Sequence, residues 1–143
     1  MEPPSRAVLS VYGEVTLLAQ SGDKRPVVLI VEDEFLVRMH AVDMVSAAGF
    51  DVVEAASADE AILILERRFD ISVVFTDINM PGSMDGLKLA VAIRGRWPPI
   101  KIVATSGLRK IGTGDLPLGS RFLPKPYSRS QVVETLRELT GEV

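Results

Sequence analysis

The chain has 143 residues, 47% hydrophobic and 24% charged, with a net charge of −3, the size and balance of one globular domain with its own core. It has no cysteine and a single histidine, His40, which excludes disulfides, thiolate zinc sites and cysteine nucleophiles and argues against histidine metal sites and Ser-His-Asp triads. Weak acidity argues against direct nucleic-acid binding; with no apolar run near the roughly 20 residues of a membrane span and no secretion-signal order, a cytoplasmic protein without membrane insertion is expected.

Residues 1–25 stand apart from the rest of the chain. They open on Pro3 and Pro4 and close in the polar run Ser21, Gly22, Asp23, Lys24 and Arg25, which reads as a linker. The expectation is an N-terminal arm, 1–25, flexible or docked on the body or on a second copy, ahead of a domain over 26–143.

From Pro26 the pattern alternates. "VVLIV" (27–31) predicts a strand buried on both faces. "EFLVRMHAVDMVSAAG" (34–49) has helical apolar spacing and a C-terminal glycine. "FDVVEA" (50–55) predicts a second strand. "SADEAILILERR" (57–68) predicts a helix with Ser57 and Glu60 at capping-box spacing. "ISVVFT" (71–76) is a third strand, and "GLKLAVAIRGRW" (86–97) a helix stopped by Pro98 and Pro99. "IKIVAT" (100–105) and "SRFLPK" (120–125) predict the last two strands, and "SRSQVVETLRELT" (128–140) a helix capped by Ser128. Strands alternating with helices imply a parallel sheet covered on both faces, with ligands bound beyond the carboxyl ends of the strands.

Those ends carry chemistry. The first strand runs into Glu32 and Asp33, the third into Asp77, the fourth into Ser106 and the fifth into Lys125. Each residue alone has an ordinary structural explanation: Asp33 and Glu34 as cap and dipole complement of a helix, Asp77 as a turn former, Ser106 as a strand exit, Lys125 as a solvated lysine. Their joint placement favours a site. Carboxylates about 4 Å apart repel by roughly 1–4 kcal/mol between water and a protein-surface dielectric, so a hard divalent cation is expected among them, magnesium first. Such a site suits phosphoryl transfer, with a carboxylate as nucleophile.

The segments "LIVEDE", "TDINMPGSMDGLKL", "IVATSG" and "FLPKPY", in this order and spacing, closely resemble the receiver domain of two-component response regulators, from about Val27 to about Thr140. The resemblance implies an α/β fold of the flavodoxin-like, doubly wound kind, with five parallel strands in the order 2-1-3-4-5. It implies Asp77 as phosphoacceptor and Mg2+ as cofactor. Glu32 and Asp33 would be the acidic pair, with Asp33 and Asp77 as direct ligands, Glu32 acting through water and the Asn79 backbone carbonyl completing the set. Ser106 would bond a phosphoryl oxygen, Lys125 would pair with the phosphate, and Phe122 would change rotamer with phosphorylation. The Lys125–Pro126 peptide would be cis. The donor would be a histidine kinase or phosphotransfer protein, the output an unidentified downstream protein, and a homodimer is among the assemblies allowed.

Two departures alter these expectations. The loop "NMPGSMDG" is one residue longer between Pro81 and Gly86 than the commonest spacing. The segment between Ser106 and Lys125 has four glycines and a proline between Gly107 and Gly119, so the fourth helix of the family is expected to be short or irregular. The resemblance implies no turnover enzyme, only a domain that assists its own phosphorylation and dephosphorylation. The latter would depend on Asn79 and Leu108, and apolar Leu108 predicts a slow rate. Two alternatives remain open: a degenerate receiver binding partners constitutively, and an aspartyl-nucleophile phosphatase. The phosphatase is disfavoured because Asn79 stands where such enzymes carry an acid. With the last helix ending near the C-terminus, a receiver without an appended output domain, or a piece of something larger, is expected.

Overall fold

The computed structural model describes residues 25–82, 84–107 and 115–141. All of the expected N-terminal arm but Arg25, together with Leu108 and most of the segment expected to replace the fourth helix, lies outside these residues. The described elements are β1 (Val27–Val31), α1 (Phe35–Ala47), β2 (Asp51–Ala55), α2 (Ala58–Arg67), β3 (Ile71–Asp77), α3 (Gly86–Arg96), β4 (Lys101–Ser106), β5 (Arg121–Pro124) and α4 (Arg129–Thr140).

All neighbouring strands pair in parallel, in the order β2-β1-β3-β4-β5, as expected. Alternation along β1 divides the core. Val27, Leu29 and Val31 face a layer with Ala58, Ala61 and Leu65 of α2 and Leu89, Ala90 and Ile93 of α3. Val28 and Ile30 face the opposite layer, with Ala41, Met44 and Val45 of α1 and Val132 and Leu136 of α4. A strand buried on both sides has no polar face, which is why β1 reads as an unbroken apolar run.

Local chemistry sets the helix ends. Gly49 follows α1 with a φ of 100°, the left-handed geometry a helix exit favours. At α2, Ser57 Oγ accepts from Glu60 N–H at 3.1 Å, and Glu60 Oε1 accepts from Ala56 N–H rather than from Ser57. The capping box at α4 is complete, with Ser128 and Gln131 bonded reciprocally. At α1 the structure corrects an expectation. The N-cap is Glu34, whose side chain makes no capping bond, and Asp33 lies one residue outside the helix. Asp33 therefore has no capping duty there.

The helix succeeding β1 leads to β2 on one side, whereas β3 pairs on the other. The crevice created at this switch point lies beyond the carboxyl ends of β1 and β3.

Candidate functional site

Register brings the strand ends level. Val31 of β1 is opposite Thr76 of β3, and Asp77 is opposite Thr105 of β4. Ser106 is opposite Pro124 of β5. The ladder continues beyond the strands, with Glu32 N–H donating to Ala55 O at 3.1 Å, Ile78 N–H to Thr105 O at 2.9 Å and Lys125 N–H to Ser106 O at 3.0 Å. Residues up to 93 positions apart in sequence thus share one rim.

Lys125 is the hub. Its Nζ donates to Glu32 Oε1 at 3.1 Å and lies 3.4 Å from Asp77 Oδ2. The Lys125–Pro126 peptide is cis, as the resemblance implied. Glu32 is 4% and Asp77 7% exposed, so both carboxylates are largely withdrawn from water while Asp33 is more open. Oxygens of Glu32, Asp33 and Asp77 all lie within 4.8 Å of one another. Glu34 takes no part beyond its backbone N–H, which donates to Glu32 Oε2 at 3.2 Å.

The electrostatics follow from this burial. Desolvation pushes the pKa of Glu32 up against the opposing pull of Lys125 and the Glu34 N–H, and the nearby Asp77 charge adds to the rise. Desolvation likewise raises Asp77, helped by Asp33 and opposed by Lys125 and the Asn79 N–H. For Lys125 burial acts downward, but the hydrogen bond to Glu32 and the charge of Asp77 outweigh it and hold the ammonium above its usual range. Three carboxylates against one ammonium leave a surplus of negative charge in a partly dry cleft. An all-oxygen set with that surplus fits a hard dication, which Glu32, Asp33 and Asp77 are placed to hold.

The remaining candidates are placed less uniformly. Asn79 turns its side chain to Ser106, donating from Nδ2 to Oγ at 2.7 Å, and its N–H reaches Asp77 Oδ1 at 3.4 Å. Phe122 sits half-buried on β5, in register with Ala104. Met80 is buried in the core, and Asp85 caps α3 by accepting from Lys88 N–H at 2.9 Å. The loop between them turns at Gly82, with a φ of 111°.

Two neighbours of the site were not foreseen. Tyr127 is partly buried, its hydroxyl pKa raised by desolvation, and its ring lies 5.6 Å from that of Phe75. Arg38, on the first turns of α1, donates from NH1 to Glu32 O at 2.7 Å. One signal for Arg38 was available: a cation close to a helix N-terminus opposes the dipole and so calls for an acidic or carbonyl partner.

A doubly wound parallel sheet with an acid cluster and a lysine at its switch point defines a class of phosphoryl-handling α/β domain. The comparisons with known proteins narrow it. The response regulator receiver domain family matches residues 28–137, and the chain belongs to that family, the receivers of two-component signalling. The chain is 39% identical over 116 residues to sensor kinase CckA of Brucella abortus, an alignment covering 78% of this chain and 12% of that protein. With response regulator protein FleR of Pseudomonas aeruginosa it shares 38% over 120 residues, covering 81% of this chain and 25% of that protein. The chain therefore spans only a minor part of these relatives. Among solved structures, the receiver domain of the hybrid histidine kinase CckA superposes with a TM-score of 0.67 at 32% identity, covering 79% of this chain and 97% of that one. A response regulator receiver protein from Pseudomonas putida gives 0.73 at 30% identity, covering 80% and 98%. Receiver domains interact with histidine kinases or phosphotransfer proteins. No helix among the described residues is long and apolar enough to cross a membrane.

Proposed function

We propose that this protein accepts a phosphoryl group on Asp77 from a phosphohistidine of a kinase or phosphotransfer protein, and that the modification alters a protein-binding surface. The observation that carries this reading is the bridge of Lys125 Nζ between Glu32 and Asp77 at 3.1 and 3.4 Å. An Asp77 carboxylate oxygen attacks phosphorus, the new P–O bond forms as the P–N bond breaks, and the electron pair leaves with the imidazole. Lys125, held by both acids before the reaction, is positioned to pair with a phosphoryl oxygen without reorganising. Ser106, now bonded to Asn79, is the hydroxyl that would turn to another phosphoryl oxygen, and Phe122 would follow its displacement.

Glu32, Asp33 and Asp77, with the Asn79 carbonyl, would hold Mg2+, which supplies the positive charge that phosphoryl oxygens require. Exposed Phe35 and Leu36 open α1 directly after Glu34, and an apolar rim beside the acids suits a protein donor. In this reading the protein is a signalling module rather than a turnover enzyme. It acts in the cytoplasm, with the receiver unit over 26–143 and a separate arm over 1–25. The test is to incubate the protein with acetyl phosphate and Mg2+ and weigh it. One added phosphoryl group is expected on the wild type and none on Asp77→Ala; no gain, or an equal gain in the variant, refutes the assignment.

A further inference from the structure

The acid pair Glu32-Asp33 joins β1 to α1 across a junction with little to fix it. Helix α1 has no side-chain cap at Glu34 and no acid in its first turn. What holds the junction comes from Arg38. Its NH1 donates to the Glu32 carbonyl at 2.7 Å, and its Nε donates to Glu54 Oε1 of β2 at 3.0 Å. The guanidinium carbon also lies 5.5 Å from the centroid of the Phe35 ring. The Arg38 side chain is only 14% exposed, whereas Glu54 is 45% exposed. The arginine is therefore anchored at three points, although only its edge meets solvent.

The bond to the Glu32 carbonyl matters because a peptide unit is planar. That carbonyl belongs to the peptide whose nitrogen is the Asp33 N–H. Fixing its direction fixes the plane joining the two acids, and with it the direction in which each carboxylate leaves the backbone. The other contacts of Glu32 lie elsewhere: its N–H on Ala55 O, its carboxylate on Lys125 and the Glu34 N–H. The Glu34 N–H bond to the Glu32 carboxylate spans Asp33 from the side-chain end, and the Arg38 contact holds the carbonyl of the link itself. Metal ligands need partners that hold them to within a fraction of an ångström.

We infer that Arg38, braced by Glu54, is a positioning residue for the cation site: it sets the Glu32–Asp33 peptide so that both carboxylates converge with Asp77. This rests on the proposed metal role of those three acids and adds to it a residue from outside the rim. Guanidinium geometry suits the task, since NH1 and Nε lie in one rigid plane and meet the Glu32 carbonyl and Glu54 in fixed relative directions, whereas a lysine offers a single nitrogen on a flexible stem.

Charge and position make opposite predictions here. A cation near an acidic site weakens Mg2+ binding by repulsion, so if Arg38 acted through charge alone its removal would tighten binding. If it acts by position, removal loosens binding. The experiment is calorimetric Mg2+ titration of the wild type, Arg38→Met and Arg38→Lys, below the melting temperature of each. Arg38→Met is expected to bind about tenfold more weakly, while its phosphorylation rate at saturating Mg2+ stays near that of the wild type. Arg38→Lys, which keeps charge and stem, is expected to bind several-fold more weakly too, and stands in if the methionine variant fails to fold. Equal or tighter binding in the folded variants overturns the inference and leaves the metal site standing. No Mg2+ binding by the wild type overturns the metal site, and this inference with it.

Discussion

Asn79 Nδ2 donates a hydrogen bond to Ser106 Oγ at 2.7 Å, joining the loop after β3 to the end of β4. Ser106 is buried and accepts this bond through Oγ; if its side chain rotates towards a phosphoryl oxygen on Asp77, as proposed, the oxygen that Asn79 reaches moves with it and the bond is bent or lost. The contact therefore stabilises the unmodified arrangement selectively, and a two-state element is biased by whatever bonds one state alone.

Asn79→Ala is accordingly expected to lower the unfolding free energy of the unmodified protein by about 1 kcal/mol. The deficit should shrink when Asp77 carries a stable phosphoryl mimic such as beryllofluoride. Urea denaturation of both proteins in both states measures this. An identical deficit with and without the mimic would show that the bond is indifferent to modification.

Lys125 separates two buried carboxylates. Lys125→Met leaves them facing each other without a cation, and breaking a buried pair costs about 3–5 kcal/mol. Because the lysine is 24% exposed, solvent screening reduces the expected loss to about 1–2 kcal/mol. In the proposed site Mg2+ would supply positive charge to the same oxygens, so the deficit seen in chelator should narrow at saturating Mg2+, even as phosphorylation by acetyl phosphate slows sharply. A deficit of equal size in both conditions would separate the lysine from the cation site.

Burial sets the pH dependence. Folded Asp77 and Glu32 both bind their protons more tightly than in the unfolded chain, chiefly through desolvation. Their contribution to stability is therefore most favourable at acid pH and declines as pH rises above the ordinary carboxylate range, about 4. Asp77→Asn removes one of these charges, and at pH 7 the variant should be more stable than the wild type, with a higher melting temperature. The gain should shrink as pH falls through the carboxylate range, because the wild-type carboxyl then takes up its proton. Denaturation at neutrality and in that range gives the answer; a variant less stable than wild type at neutrality would mean that the attraction to Lys125 outweighs desolvation.

The fold was legible because its signals are local. β1 reads as "VVLIV" with no polar break, since both faces are covered, and Gly49, Ser57 and Ser128 mark helix ends by their own chemistry. The rim was legible because a parallel sheet sends every strand end to the same edge, so Glu32, Asp33, Asp77, Ser106 and Lys125 could be grouped without knowing any angle. What escaped depends on side-chain direction across long separations. Asn79 and Ser106 are 27 positions apart, and nothing local tells the amide to turn to that hydroxyl. Arg38 and Glu54 meet across a helix and an edge strand. The start of α1 was misjudged for a related reason. Three consecutive acids invite a capping role for the middle one, but Glu32 is drawn into the core rim, the N-cap falls on Glu34 and the helix begins at Phe35. Apolar spacing also overstated the buried face of α1, because Phe35, Leu36 and Met39 are exposed.

Gly86 supports Asp77 from behind. Its N–H donates to Ile78 O at 2.9 Å, and the first turn of α3 lies so close to the end of β3 that a Cβ on Gly86 would collide with the Asp77 carbonyl oxygen and come within 2.7 Å of Ile78 Cα. Both are backbone atoms, which cannot swing aside as a flexible side chain would. Gly95, in the same helix, is exposed and a Cβ there would meet nothing within 4 Å. The two glycines thus predict opposite signs for one substitution. Gly86→Ala should destabilise the domain by about 1–3 kcal/mol through overpacking and weaken Mg2+ binding, because the backbone of Asp77 must shift. Gly95→Ala should stabilise it by about 0.5–1 kcal/mol by reducing unfolded-state entropy and leave Mg2+ binding unchanged. Urea denaturation with Mg2+ titration of both variants tests the pair; a Gly86→Ala protein as stable as wild type would mean that the helix can retreat from the strand without disturbing Asp77.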